Sequence, residues 1–169
     1  MSGHILIENA IEKIDSNELR NKMNLDGCGA VVSFLGITRP QNDGANVIQL
    51  EFDAWMDKLP AVLHRLADEA IIQFGIISVA MAHRVGVVKA NEDIVAIHVG
   101  SAHRKAAFKA CEWLIDELKN QAPLWKKEVT DVGEKWKAGE YCSPTCQTLY
   151  QKSPLALSPE KLKWTEQLL

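Results

Sequence analysis

Apolar and polar positions change rhythm several times along this chain, and each rhythm predicts an element. Residues 4 to 8, HILIE, alternate enough for a short strand, and Asp15 with Glu18 has the spacing of a capping box opening a helix through Met23. CGAVVSFLG, 28 to 36, is a nearly continuous apolar run bounded by glycines, the pattern of a strand buried on both faces, although periodicity alone also permits a buried helix. PQNDGAN then reads as a loop of turn formers. VIQLEFDAW, 47 to 55, alternates so as to bury Ile48, Leu50, Phe52 and Ala54 on one face. Pro60 fits the first turn of a helix that gathers Leu59, Val62, Leu63, Leu66, Ala70 and Phe74 on one side, points His64 outward and ends at Gly75. Strands follow at 76 to 82 and 92 to 100, with His98 as an ordinary strand residue; His83 and Arg84 pair with an acid or bind a ligand, and both readings stay open.

The most informative stretch is 101 to 128, SAHRKAAFKACEWLIDELKNQAPLWKKE. Ser101 is the expected N-cap, and Ala107, Cys111, Leu114 and Leu118 recur at helical spacing, with Phe108 and Ile115 widening the stripe. Pro123 ends the helix, because the residue before a proline is pushed out of the α region. Strands and helices neither alternate strictly nor fall into separate blocks, which predicts an α+β fold. After Glu128 the signals weaken: Gly133 and Gly139 flank EKWKA, CSPTC follows, and Ser158 with Pro159 could open a last short helix.

Composition narrows the class. The 169 residues suit one domain with one core, and 47% apolar with 24% charged residues is ordinary for a soluble globular protein. No secretory leader or membrane-length apolar run is visible, so a cytoplasmic protein without membrane contact is expected. Four cysteines show no disulfide-framework density, and Cys111, on the helix stripe, is expected to be buried and inert. Cys142 and Cys146 lack the second ligand pair a zinc site needs; they read as unpaired thiols or as a redox pair. The sequence contains no repeat, glycine-rich phosphate loop, metal-ligand cluster or nucleophile elbow, and neither a metal nor a cofactor is expected.

Charge adds a site. Residues 101 to 128 carry six Lys or Arg against four acids, in a chain of formal net charge −3. A basic island in a mildly acidic protein suits a small anionic ligand rather than a nucleic acid, which would call for a larger basic face. Arg104 and Lys119 are fifteen residues apart, within about 60° on the helix face but roughly 22 Å apart along its axis, so one small ligand cannot touch both in one chain. Either they serve different purposes or a second subunit completes the site. Lys119 and Lys126 flank the proline turn; two converging ammonium groups depress each other's pKa and become usable acids, bases or nucleophiles. Lys119 also has a plainer reading, as a solvated lysine complementing the helix dipole. Arg39 stands where a strand gives way to a loop, with a planar fork suited to phosphate oxygens, and from this segment alone it reads equally well as an exposed arginine beside a loop.

GAVVSFLGITR, LEFDAW, AHRVG, SAHRKAAF and LKNQAPLWKKE, in this order and at these separations, resemble the large, catalytic subunit of molybdopterin synthase. The likeness covers about residues 4 to 137, leaving 138 to 169 as an extension. It implies an α+β fold with an α/β hammerhead-type core and an additional antiparallel β-sheet. It also implies a sulfurtransferase that converts precursor Z, cyclic pyranopterin monophosphate, to molybdopterin. The sulfur would come from the thiocarboxylate on the C-terminal Gly-Gly of a small ubiquitin-like sulfur-carrier subunit, with a homodimer of large subunits at the centre of a heterotetramer. Carried over residue by residue, the implied site is Ile37, Thr38, Arg39, His103, Arg104, Lys119, Lys126, Lys127 and Glu128, with Lys119 and Lys126 catalytic. Where many relatives have a Gly before the hairpin Glu, this chain has Asn91 before Glu92; asparagine tolerates the left-handed geometry such a turn needs. The competing reading is a non-catalytic dimeric scaffold that binds the ubiquitin-like tail.

Overall fold

The computed structural model describes residues 3–10 and 12–137. In chain order these form β1 (His4–Ala10), α1 (Ser16–Asn21), β2 (Ala30–Ile37), β3 (Gln41–Asn42), β4 (Ala45–Ala54) and α2 (Leu59–Phe74), then β5 (Ser78–Arg84), β6 (Gly86–Lys89), β7 (Asp93–Ser101), α3 (Arg104–Gln121), β8 (Leu124–Thr130) and β9 (Gly133–Lys137). The expectations for Cys142, Cys146 and a helix at Ser158 lie outside the described residues.

Two sheets result. The first has the order β1-β5-β7-β2, with β1 parallel to β5 and the other pairs antiparallel. Helices α2 and α3 cover one face, where Leu63 and Leu66 meet Ala107, Leu114 and the strand residues Met81, Ile97 and Val99, all fully buried. Burial of each such leucine is worth about 1.5–3 kcal/mol, so tertiary packing of the apolar stripes holds these helices more than their intrinsic propensity does. On the opposite face, Ala80, Ala82 and Ala96 leave room for α1 to seat Leu19 and Met23. The capping box is real at its first half, with the Asp15 carboxylate accepting from the Glu18 N–H. Gly75 closes α2 at φ 63°, the left-handed geometry expected of a helix-ending glycine.

The second sheet is antiparallel, in the order β3-β4-β8-β9, with β6 pairing on β4 as well. Val47, Leu50, Phe52 and Val88 form its apolar side, and Ile94 packs against both this cluster and the main core. The α+β class with an added antiparallel sheet is therefore as expected from the sequence.

Several local expectations change. β2 is an edge strand rather than one buried on both faces: Leu35 is 41% and Ile37 52% exposed, while Val32 and Phe34 pack on the core. PQNDGAN is a tight hairpin, not a loop. Asp43 (φ 50°) and Gly44 (φ 82°) make its two-residue turn, whose positive φ values match the twist of the flanking strands. In β4 the register shifts between Val47 and Gln49, so Val47 is buried and Ile48 exposed. Ser101 ends β7, and His103 takes the N-cap position of α3 without a side-chain capping bond. Phe108 is 62% exposed and does not widen the stripe, because it projects away from the line of Ala107, Cys111 and Leu114. The chain after Glu128 continues as the β8–β9 hairpin, a pairing that no local pattern announced.

The open histidine and arginine readings close. His98 is buried between the Ser33 (2.8 Å) and Ser16 (3.2 Å) hydroxyls, tying α1 to the sheet. Buried His83 donates from Nδ1 to the Arg84 carbonyl at 2.7 Å and stands edge-on to Phe52. Arg84 pairs with an acid: Nη1 is 3.6 Å from the Glu92 carboxylate, and Nη2 donates to the Val87 carbonyl.

Candidate functional site

The end of β2 and the middle of β8 build one pocket. After Ile37 the backbone of Thr38 is fixed at both ends: its N–H donates to the Glu92 carbonyl (2.9 Å) and its carbonyl accepts from the Asn91 N–H (2.8 Å). Asn91 makes this possible by taking φ 68°, the left-handed geometry anticipated from its place in the hairpin. The side chain of Thr38 is only 1% exposed, and its Oγ1 has no hydrogen-bond partner among the described residues. It lines a cavity of about 110 Å³ together with Ile37, Arg39, Asn42, Lys126 and Glu128, floored by Val47, Leu50 and Ile94.

Strand pairing decides which of the WKKE residues face this cavity. β8 runs antiparallel to β4, placing Lys126 opposite Phe52 and Glu128 opposite Leu50, on the side of the sheet that turns toward the pocket. Lys127, between them, projects from the other side. There it meets Glu51 at 2.7 Å and Glu134 at 3.0 Å and lies over the Trp136 ring. The bond to Glu51, followed by that to Glu134, raises the Lys127 pKa, and the Glu51 carboxyl is lowered by the same contact.

The sequence-derived site thus divides. Ile37, Thr38, Arg39, Lys126 and Glu128 come together, and Lys127 stands behind them on the reverse face. Lys119 lies exposed in the last turn of α3, while His103 and Arg104 lie exposed at its start; none of these three lines the pocket. The topology separates them further. Ala30 pairs with Ser101, next to His103, whereas Ile37 pairs with Asp93 at the other end of the same two strands, about 23 Å away for seven residue steps of strand. His103 and Arg104 are therefore at the far end of the sheet from the pocket of their own chain.

Sequence reasoning missed Asn42. Its Oδ1 accepts from Arg39 Nη2 at 3.0 Å, and its Nδ2 lies 3.1 and 2.9 Å from the two oxygens of Glu128. Reading Asp43-Gly44 as a hairpin turn rather than part of a loop would have put Asn42 on a strand beside Arg39. Neither described cysteine is a ready nucleophile: burial pushes the Cys111 thiol up to about 11, and burial followed by the nearby Asp26 raises that of Cys28. Among the described residues no group of three or more metal-ligating side chains converges, and no helix is long and apolar enough to cross a membrane.

A helix-backed mixed sheet joined to an antiparallel sheet, with arginine, lysine and glutamate converging on one small pocket, defines an α+β protein with a polar pocket walled by charged side chains. Comparison with known proteins names the family. The MoaE protein family matches residues 10–121, and the chain belongs to it. It is 38% identical to the molybdopterin synthase catalytic subunit of Pyrococcus abyssi over 112 residues, covering 66% of this chain and 76% of that one. With the subunit of the same name from Thermoplasma volcanium it shares 35% identity over 127 residues, covering 75% and 93%. The crystal structure of molybdopterin synthase from Staphylococcus aureus superimposes with a TM-score of 0.73 at 33% identity, covering 78% of this chain and 96% of that one. The family resemblance read from the motifs is the family found.

Proposed function

We propose that the protein is the catalytic subunit of a molybdopterin synthase. It converts precursor Z to molybdopterin with sulfur from the C-terminal Gly-Gly thiocarboxylate of a small ubiquitin-like subunit. The carrying observation is the convergence of Thr38, Arg39, Lys126 and Glu128 on one pocket in a chain of this family. An anionic substrate needs cationic donors, and the Arg39 fork with the Lys126 ammonium supplies them at the pocket wall. The unpartnered Thr38 hydroxyl is a further donor or acceptor that a polar ligand would satisfy. In this reading the partner supplies the sulfur, so no cysteine of the large subunit is required to carry it. The relatives' printed name, catalytic subunit, implies that those proteins work with a further subunit.

Two large subunits sit at the centre of a heterotetramer in this reading. The separation of His103 and Arg104 from the pocket of their own chain supports it, since a second copy would bring the pair to the site. The exposed Leu35 and Ile37 on edge strand β2 give that copy an apolar surface beside the pocket. Arg39, His103 and Arg104 hold phosphate and pterin, and Lys127, paired with Glu51 and Glu134 on the reverse face, supports the β8 wall of the pocket from behind. Lys119 acts on the thiocarboxylate or as acid and base at the pterin carbon, with Lys126 assisting. The assembly works in the cytoplasm.

The test is incubation of the purified protein with precursor Z and thiocarboxylated small subunit, following dithiolene formation through the fluorescent oxidation product. Product formation is expected, and Lys119→Ala is expected to abolish it while leaving the assembly folded. Mixing Arg104→Ala with Lys119→Ala subunits should restore activity if each pocket draws on both chains. Absence of product with the partner still bound would leave the scaffold reading in its place.

A further inference from the structure

The carboxamide of Asn42 occupies a place in the pocket that the proposed chemistry does not by itself account for. It stands between a cation and an anion and bonds to both: Oδ1 faces Arg39 Nη2 at 3.0 Å, and Nδ2 faces both Glu128 oxygens at 3.1 and 2.9 Å. Only one orientation of the amide satisfies this pair, because a guanidinium only donates and a carboxylate only accepts. The backbone beneath it is rigid. Asn42 pairs with Ala45 across the Asp43-Gly44 turn. The hairpin is also tied to the end of β8, where Asn46 donates from its backbone N–H and from Nδ2 to the Asp131 carboxylate at 3.0 and 2.6 Å, and the Asp131 N–H donates to the Asn46 carbonyl at 3.0 Å. Asn42 and Glu128 also line a second, more open groove of about 320 Å³, so their bond forms part of the wall between groove and pocket.

From this geometry we infer that Asn42 is a positioning residue, holding the Arg39 guanidinium and the Glu128 carboxylate in the places from which they meet the substrate. Arg39 is an exposed side chain with several rotatable bonds, and confining it costs entropy at each binding event unless a partner has already confined it. A guanidinium has five N–H donors, so the bond to Asn42 leaves a pre-oriented fork for an anion. Glu128, bonded through both oxygens to the amide, is held at the wall of the pocket. The inference rests on the sulfur-transfer reading for the identity of the substrate, but its geometry does not.

The test compares Asn42→Ala with wild type in the assembled synthase, with Gln41→Ala as the control that perturbs the same hairpin outside the pocket. Asn42→Ala should raise KM for the pterin substrate about tenfold, the scale of one lost charge-assisted hydrogen bond, and change kcat by less than about threefold. Gln41→Ala should leave both unchanged. In an Arg39→Ala background, adding Asn42→Ala should raise KM by clearly less than the roughly tenfold it causes alone, since of the two groups Asn42 holds only Glu128 is left. An unchanged KM in Asn42→Ala, an equal rise in Gln41→Ala, or losses that simply multiply in the double variant would each overturn the inference. If the wild-type assembly makes no product, the synthase reading fails and calorimetric titration with inorganic phosphate decides alone. Affinity about fivefold weaker in Asn42→Ala would sustain the positioning role, and equal affinities would end it.

Discussion

Thr38→Val should change stability and ligand affinity in opposite directions. The side chain is 1% exposed and its hydroxyl lacks a partner among the described residues. A buried polar group left unsatisfied costs about 1–3 kcal/mol. Valine keeps nearly the same shape and removes that cost, so the free protein should gain about 1 kcal/mol, or roughly 2–4 °C in Tm for a chain of this size. Thr38 also lines the pocket, and a polar ligand seated there is expected to complete the hydrogen bonding of this hydroxyl. Its loss should weaken binding by about 1 kcal/mol, a fivefold rise in KM or Kd. Thermal unfolding of the free protein and substrate titration of the assembled enzyme measure the two effects separately. A lower Tm together with an unchanged KM would refute the reasoning, because it would mean that the hydroxyl is already satisfied and does not meet the ligand.

Other expectations follow from the packing. Burial holds the His83 pKa near 4 against an ordinary 6.5, so the fold favours the neutral ring; the unfolded chain takes up the proton first as pH falls, and stability is lost between about pH 6.5 and 4. From pH 7 to 5 this one residue should account for about 2 kcal/mol, seen as a shallower loss in urea titrations of His83→Gln than of wild type. Leu114→Ala, at a fully buried position where α3 meets the sheet, should cost about 2–5 kcal/mol in the same titrations. Asn91→Gly should leave stability nearly unchanged, while Asn91→Ala should lose about 1 kcal/mol and, by loosening Thr38, raise KM; thermal unfolding with substrate titration reads both.

The helices were legible because their determinants are local. The stripe of Ala107, Cys111, Leu114 and Leu118 and the break at Pro123 lie within a few turns of chain, and both hold in the structure. The family was legible too, through five motifs in order. What depended on distant parts of the chain was read less well. CGAVVSFLG looked fully buried because apolar content alone does not say whether a strand ends up at the centre or the edge of its sheet; among the described residues β2 pairs only with β7, which leaves Leu35 and Ile37 open. Ile48 fell on the wrong face because one bulge inverts an alternation that sequence can only extrapolate.

The pocket shows the same division. Arg39 and Lys126 were marked by residue type, since anionic ligands need cationic forks and ammonium groups whatever the fold, whereas Lys127 entered only through the family resemblance. Lys126 and Lys127 are equivalent as sequence. They differ only because β8 pairs with β4 in a register that sends Lys126 toward the pocket beside Phe52 and Lys127 to the reverse face with Glu51. Asn42 went unnoticed for the same reason, as its partner Glu128 is 86 residues away. Chemistry belonging to single side chains was written in the sequence; the choice among neighbouring side chains was made by long-range strand register, which depends on the energy of the whole sheet rather than on any one segment.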